Sequence, residues 1–194
     1  MKLNTRNIVW VFLGILFALG SLWIHYQIKV EMPRGGSPDP GQFQVGNEAP
    51  DFSAPDLRGR EVVLSELQGH KVVVLDFWAT WCGPCLKAMP DLEEVHREFA
   101  ERGVVVVALN LGEDPERARS FIKRQGYTFR VVADQDRAIA ERFGVRAIPT
   151  LVVVGTDGRI AWTRVGYEPN EARELRALLD QLTEERPSSG SAAS

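Results

Sequence analysis

Two cysteines stand in this 194-residue chain, Cys82 and Cys85, within the run Trp81-Cys82-Gly83-Pro84-Cys85. Three residues apart, they share one helical turn, which brings the sulfurs close enough for a small-ring disulfide. The run follows an apolar stretch, Val72–Trp78 (VVVLDFW), and opens an amphipathic pattern of helical period. At a helix start the free backbone N–H groups and the helix dipole favour negative charge. A thiolate at Cys82 gains from both, so its pKa falls and the nucleophilic fraction at neutral pH rises. Pro84 costs little in a first turn, where its missing N–H would have been unpaired. A zinc half-site needs two more ligands, but His25 lies in an apolar segment, and His70 and His96 lack ligand-like spacing. A purely structural disulfide closing so short a loop removes little chain entropy. Two inert buried cysteines are the remaining alternative; a redox-active dithiol is the reading the pattern favours.

The elements that must position this pair are legible as alternating patterns. Val72–Trp78, Val104–Leu109, Phe129–Ala133 and Thr150–Val154 are short, Val-rich runs, read as strands buried on both faces of a sheet. A helix is expected from Cys82 to Arg102, with Leu86, Met89, Leu92, Val95 and Phe99 on one face and a kink at Pro90. A second starts at Asp114-Pro115, a capping residue followed by a first-turn proline, and stops near Gly126. A third covers Asp136–Phe143. The last runs from Asn170 to Glu184, with Ala172, Leu175, Leu178, Leu179 and Leu182 aligned. Asp157-Gly158 marks a hairpin, so the final two strands are antiparallel. The whole is an α/β sandwich with a mixed central sheet.

Composition bounds what surrounds this domain. A chain 44% hydrophobic and 25% charged, with net charge −3, is neither disordered throughout nor a disulfide-stapled mini-protein. A sequence pI near 5.7 argues against a general nucleic-acid binder. Ile8–Ile24 carries no charge, and continued through Ile28 it makes a helix of roughly 31 Å, one bilayer core. Lys2 and Arg6 precede it, which places residues 1–7 in the cytoplasm and the remainder outside. A cleaved signal peptide ending at Ala18-Leu19-Gly20 is the competing reading, against which the apolar run continues through Leu22, Trp23 and Ile24. The expected organisation is a tail at 1–7, a transmembrane signal-anchor at 8–28, a Gly/Pro-rich flexible linker at 29–44, the folded domain at 45–186 and a disordered tail at 187–194.

DFWATWCGPC, with Ile148-Pro149-Thr150 before a later strand, resembles the active-site strand and cis-proline loop of the thioredoxin superfamily. The apolar N-terminus, the segment APDFSAPDLRGREVVLSEL and the added material between Asn110 and Gly144 resemble its exported TlpA/ResA-type members, including those of cytochrome c maturation. The resemblance implies a thioredoxin-like three-layer sandwich behind one transmembrane helix. It implies Cys82 as the exposed nucleophile, Cys85 as the resolving thiol, and Pro149 as the cis-proline. The backbone at Ile148 would pair with a bound substrate, and Trp81 would shape the substrate surface or serve only as a packing aromatic. Asp76 matches a buried acid that relays a proton for Cys85. Independently, an acid within VVVLDFW is costly to bury, which raises its pKa toward that of a general base; a hydrogen-bonded structural acid is the alternative.

The chain departs from the family pattern in two places. Ala88 stands where many branch members carry a glutamate, and Val107-Ala108-Leu109 replaces the stretch that holds a lysine in thioredoxin. Without either charge, Asp76 is expected to titrate higher and work alone. The resemblance calls for no cofactor and no metal, and for protein disulfides as substrates. It also implies a transmembrane dithiol as electron donor and residence in a bacterial inner membrane with the catalytic domain outside the cytoplasm. A tethered chaperone or metal-delivery module is the rival class, poorly served by Met89 as a soft ligand because it lies on the apolar helix face. A peroxidase lacks its separate peroxidatic cysteine here.

Overall fold

The computed structural model describes residues 44–184. A short hairpin of β1 (Ser53–Pro55) and β2 (Glu61–Val63) leads into α1 (Leu64–Leu67). Then come β3 (Val72–Trp78), α2 (Gly83–Phe99), β4 (Val104–Leu111), α3 (Pro115–Gln125) and β5 (Arg130–Asp134). The chain closes with α4 (Ala138–Arg142), β6 (Thr150–Val154), β7 (Ile160–Val165) and α5 (Glu171–Glu184). The main sheet has the order β5-β4-β3-β6-β7, with β3, β4 and β5 parallel and β6 and β7 antiparallel to their neighbours. This is the mixed sheet the sequence leads one to expect, and β3 is buried along its whole length, as a central strand covered on both faces must be.

Alternation along β3 sorts two cores. Val72, Val74 and Trp78 face Cys85, Met89, Leu92, Val95 and Phe99 of α2, with Leu175 and Leu179 of α5 and Phe121 of α3 completing that layer. Val73, Leu75 and Phe77 face the other way, onto Ile139 and Ala140 of α4, Phe143, and Phe52 and Val62 of the hairpin. Two apolar layers on opposite faces of one sheet make a three-layer sandwich. Burying Leu175 and Leu179 is worth on the order of 2 kcal/mol each, which ties α5 to α2 and the sheet. Arg176 adds an ion-paired bracket between the same helices, to Glu94 and Glu98 of α2.

Several expected boundaries move for identifiable reasons. α3 is capped by Asp114, whose carboxylate accepts from the Glu116 N–H at 2.9 Å, and ends at Gly126 with φ 73°, both as read from sequence. α4 starts two residues later than expected, because Arg137 has φ 64°, and the carboxylate of Asp134 takes the N–H groups of Ile139 and Ala140. β5 begins at Arg130 rather than Phe129. α2, expected over Cys82–Arg102, runs from Gly83 through the exposed Pro90 to Phe99, and a 3-10 turn carries it on to Arg102. The β1–β2 hairpin was not anticipated: three-residue strands are too short to show a period. Among the described residues no helix is long and apolar enough to cross a membrane, and the 8–28 segment expected to do so lies outside them, as does the 187–194 tail.

Candidate functional site

The sheet order determines which loops meet. The cysteine run leaves the C-terminal end of β3, and Glu113 follows the C-terminal end of the parallel strand β4. β6 is antiparallel to β3, with Thr150 opposite Phe77, so the loop preceding β6 arrives at that same end. Three loops separated by up to about seventy residues of sequence thus converge where the strands end.

Cys82 is the N-cap of α2 and Pro84 lies in its first turn. Cys82 and Cys85 are joined as a disulfide, and the Cys85 N–H points at the Cys82 sulfur at 3.3 Å. A sulfur in that position sees the unpaired amides of the helix start, which is the environment that stabilises a thiolate when the bond opens. The expectation of an exposed Cys82 needs correction. It is only 5% exposed in the disulfide form, against 1% for Cys85, so the order is right but the sulfur is largely covered. Its neighbours carry the surface: Gly83 and Pro84 are exposed, and Trp81 is 64% exposed, an apolar side chain on open display rather than a packing aromatic.

The Ile148–Pro149 peptide is cis. Thr150 Oγ1 donates to the Ala147 carbonyl at 2.7 Å, and the Gly166 N–H donates to the Pro149 carbonyl at 2.8 Å, which holds the loop on both sides. Neither the N–H nor the carbonyl of Ile148 has a partner among the described residues, while its side chain packs against the core cluster that contains both cysteines.

Thr80, immediately before the cysteine run, is clamped by an acid that sequence reasoning missed. Glu113 accepts from the Thr80 N–H at 2.6 Å, from Thr80 Oγ1 at 2.5 Å and from Asn110 Nδ2 at 2.8 Å, and Arg117 lies 3.3 Å away. Burial alone would raise its pKa; the Thr80 hydroxyl and N–H, Asn110 and Arg117 together reverse the sign and hold it below the usual carboxylate range. The available signal was an Asn inside an apolar strand, followed three residues later by Glu.

Asp76 has the opposite surroundings. It shares its face of β3 with Val74 and Trp78, lies between Ala108 of β4 and Leu151 of β6, and is 4% exposed. Burial first, and the charge of Glu171 second, push its pKa up to about 8. The expectation that Asp76 acts alone is therefore corrected: Glu171 of α5 lines the same cavity, together with Ala88, one turn beyond Cys85. Glu171 occupies the helical register of Leu175 and Leu179, a signal present in the sequence as an acid on an apolar stripe. Among the described residues no group of three or more His, Cys, Asp or Glu side chains is placed to hold a metal ion.

The Redoxin family model matches residues 44–180. Thiol-disulfide oxidoreductase ResA of Bacillus anthracis is 34% identical over 145 residues, covering 75% of this chain and 82% of that protein. Among solved structures, a thioredoxin-family thiol:disulfide interchange protein from Chlorobium tepidum matches with TM-score 0.62 at 26% identity, over 70% of this chain and 95% of that one. A secreted Mycobacterium tuberculosis disulfide oxidoreductase homologous to E. coli DsbE matches with TM-score 0.60 at 25% identity, over 74% and 99%.

Proposed function

The chain belongs to the Redoxin family and is a thiol–disulfide oxidoreductase, and from that premise we propose that it works as a membrane-tethered reductant of disulfides in exported proteins. The observation that carries the reading is the Cys82–Cys85 pair at the head of α2, beside exposed Trp81 and the unpartnered backbone of Ile148. An extended client segment pairs with Ile148 as an added strand, which brings its disulfide to Cys82. The Cys82 thiolate attacks one client sulfur; a mixed disulfide forms, and the other client sulfur leaves as a thiolate that takes up a proton. Asp76 accepts the proton of the Cys85 thiol, and the Cys85 thiolate attacks Cys82 Sγ. The mixed bond breaks, the second client thiolate is protonated, and Cys82–Cys85 closes as a disulfide. A donor dithiol must then reverse that last bond, and a transmembrane dithiol protein is the partner that fits an exported domain.

The tether is assigned to residues 8–28, from the uncharged run Ile8–Ile24 continued through Ile28. The secreted mycobacterial neighbour is consistent with export, and apocytochromes awaiting haem are the client class that goes with the TlpA/ResA resemblance. Direction is tested by equilibrating the purified protein with glutathione buffers. A potential near that of thioredoxin, about −270 mV, is expected; one near −120 mV, the DsbA range, overturns the reductant assignment. Clients are identified by a Cys85→Ala variant, which stalls at the mixed disulfide.

A further inference from the structure

Behind the dithiol, the sheet face of Asp76 and the first turn of α5 enclose a cavity of about 20 Å³, lined by Asp76, Ala88, Asp91, Leu92, Leu151 and Glu171 among others. That is room for about one water molecule. Glu171 is 5% exposed, and its Oε2 is buried with no hydrogen-bond partner. An unpaired carboxylate oxygen so placed is costly as a fixed structural feature, and α5 would gain by carrying an apolar residue there. Ala88 offers no ionisable group on the α2 wall, where Asp91 is the acid present, and the acid whose charge acts on Asp76 comes from α5.

We propose that Glu171 is the proton-exchange partner of Asp76, passing the proton of the resolving step between Asp76 and solvent through the water-sized cavity they share. The inference rests on the role given to Asp76 under the proposed function. When Cys85 is deprotonated, its proton resides on Asp76; Glu171, ionised, accepts it through one bridging water, and releases it past Asp91 at the surface. Reduction of the enzyme disulfide by a donor runs the route backward, and no net charge stays buried. The groups facing Glu171 are Asp76 from β3, Asp91 from α2, Arg164 from β7 and Glu168 from the preceding loop. Arg164 is already shared by Glu168 and Glu174, so it tempers the acidity of Glu171 without locking it as an ion pair. Burial raises the pKa of Glu171, with Arg164 and the Glu168 N–H opposing, so both acids are held above the ordinary carboxylate range, where an exchanged proton can reside.

The test is the pH profile of the resolving step, followed by single-turnover reduction of insulin with the full chain in detergent. Wild type is expected to show an inflection set by Asp76, which disappears in Asp76→Asn. In Glu171→Gln the neighbouring charge is gone, so the inflection moves down by about one pH unit. The plateau rate above it falls about 3- to 10-fold, because the proton has lost its acceptor. Glu171→Asp restores a carboxyl and recovers part of the plateau. An unmoved inflection or an unchanged plateau in Glu171→Gln overturns the relay while leaving the role of Asp76 intact. An inflection that survives in Asp76→Asn overturns both. Should Glu171→Gln fail to fold, carboxyl-carbon NMR titration of the wild-type chain decides: two mutually dependent steps for Asp76 and Glu171 support the relay, and independent single steps overturn it.

Discussion

Glu113 and Asp76 are both buried acids in strand-end regions of one sheet, and they end in opposite charge states. Glu113 meets the Thr80 N–H, the Thr80 hydroxyl, the Asn110 amide and the Arg117 guanidinium, and stays ionised. Asp76 meets apolar side chains and a second acid, and keeps its proton up to about pH 8. Both are nearly closed to solvent, but Asp76 lies deeper and lacks the donors that surround Glu113. A carboxylate with every lone pair engaged fixes a loop, whereas one without donors is left with a proton to trade. Glu93 repeats the first pattern away from the cysteines, accepting from the Thr128 N–H and hydroxyl and from Arg97, and its pKa is likewise lowered.

This contrast has measurable signs. Asp76 is raised from 3.8 to about 8, so the folded state holds a proton that the unfolded chain gives up between those values. Its contribution is fully present below about pH 4 and is lost as pH rises through 8. Asp76→Asn is therefore expected to stabilise the oxidised protein at pH 8 by on the order of 3–5 kcal/mol, and to flatten the decline in denaturation midpoint between pH 5 and 8. Urea titrations at both pH values check this; an unchanged slope would mean that Asp76 is ionised when folded. Glu113→Ala acts in the other direction. It strands the Thr80 N–H and the Asn110 amide, for a loss of about 2–4 kcal/mol, and frees the loop before Cys82, so KM for insulin reduction should rise along with the lower midpoint.

Glu113 also carries the reverse pH sign. Its stabilisation is present above 4.5 and lost as pH falls through its lowered folded value. Wild type should thus lose stability on acidification below about pH 4, a limb that is shallower in Glu113→Gln, in calorimetric scans from pH 3 to 6. The smallest effect belongs to Thr128→Val, which leaves Glu93 its Arg97 partner and the Thr128 backbone N–H. A loss of about 1 kcal/mol is expected, with insulin reduction unaltered, since this copy of the clamp holds no loop of the site.

What was legible in the sequence was local. The Cys82–Cys85 pair at a helix start, the Asp114–Pro115 entry and the Gly126 exit of α3, and strands such as Thr150–Val154 each announce themselves within a few residues. Their order led to an α/β sandwich with a mixed sheet, and the thioredoxin-like fold was implied by the resemblance of DFWATWCGPC and Ile148-Pro149-Thr150. Glu113 and Glu171 escaped because their roles depend on partners about 33 and 95 residues away, which only the sheet order brings near. Cys82 was expected to be exposed because the family resemblance implies an exposed nucleophile; in the disulfide form it is almost wholly buried. The acid at Asp76 was read correctly as buried and raised, but its companion could not be read from β3 alone.

The direct pairing of β3 with β6 has one more consequence, for how the domain tolerates length change. The cysteine loop and the cis-proline loop hang from two strands hydrogen-bonded to each other, so their spacing is a property of that pair. The chain's excursion through α3 and β5 adds a strand outside β4, at the far edge, before α4 returns to cover one face of the sheet. Insertions or deletions in the turns around Gly126 or Asp136 can therefore enlarge or trim that edge while the two loops keep their separation. The rim of the sheet is free to vary around a two-strand centre that is not.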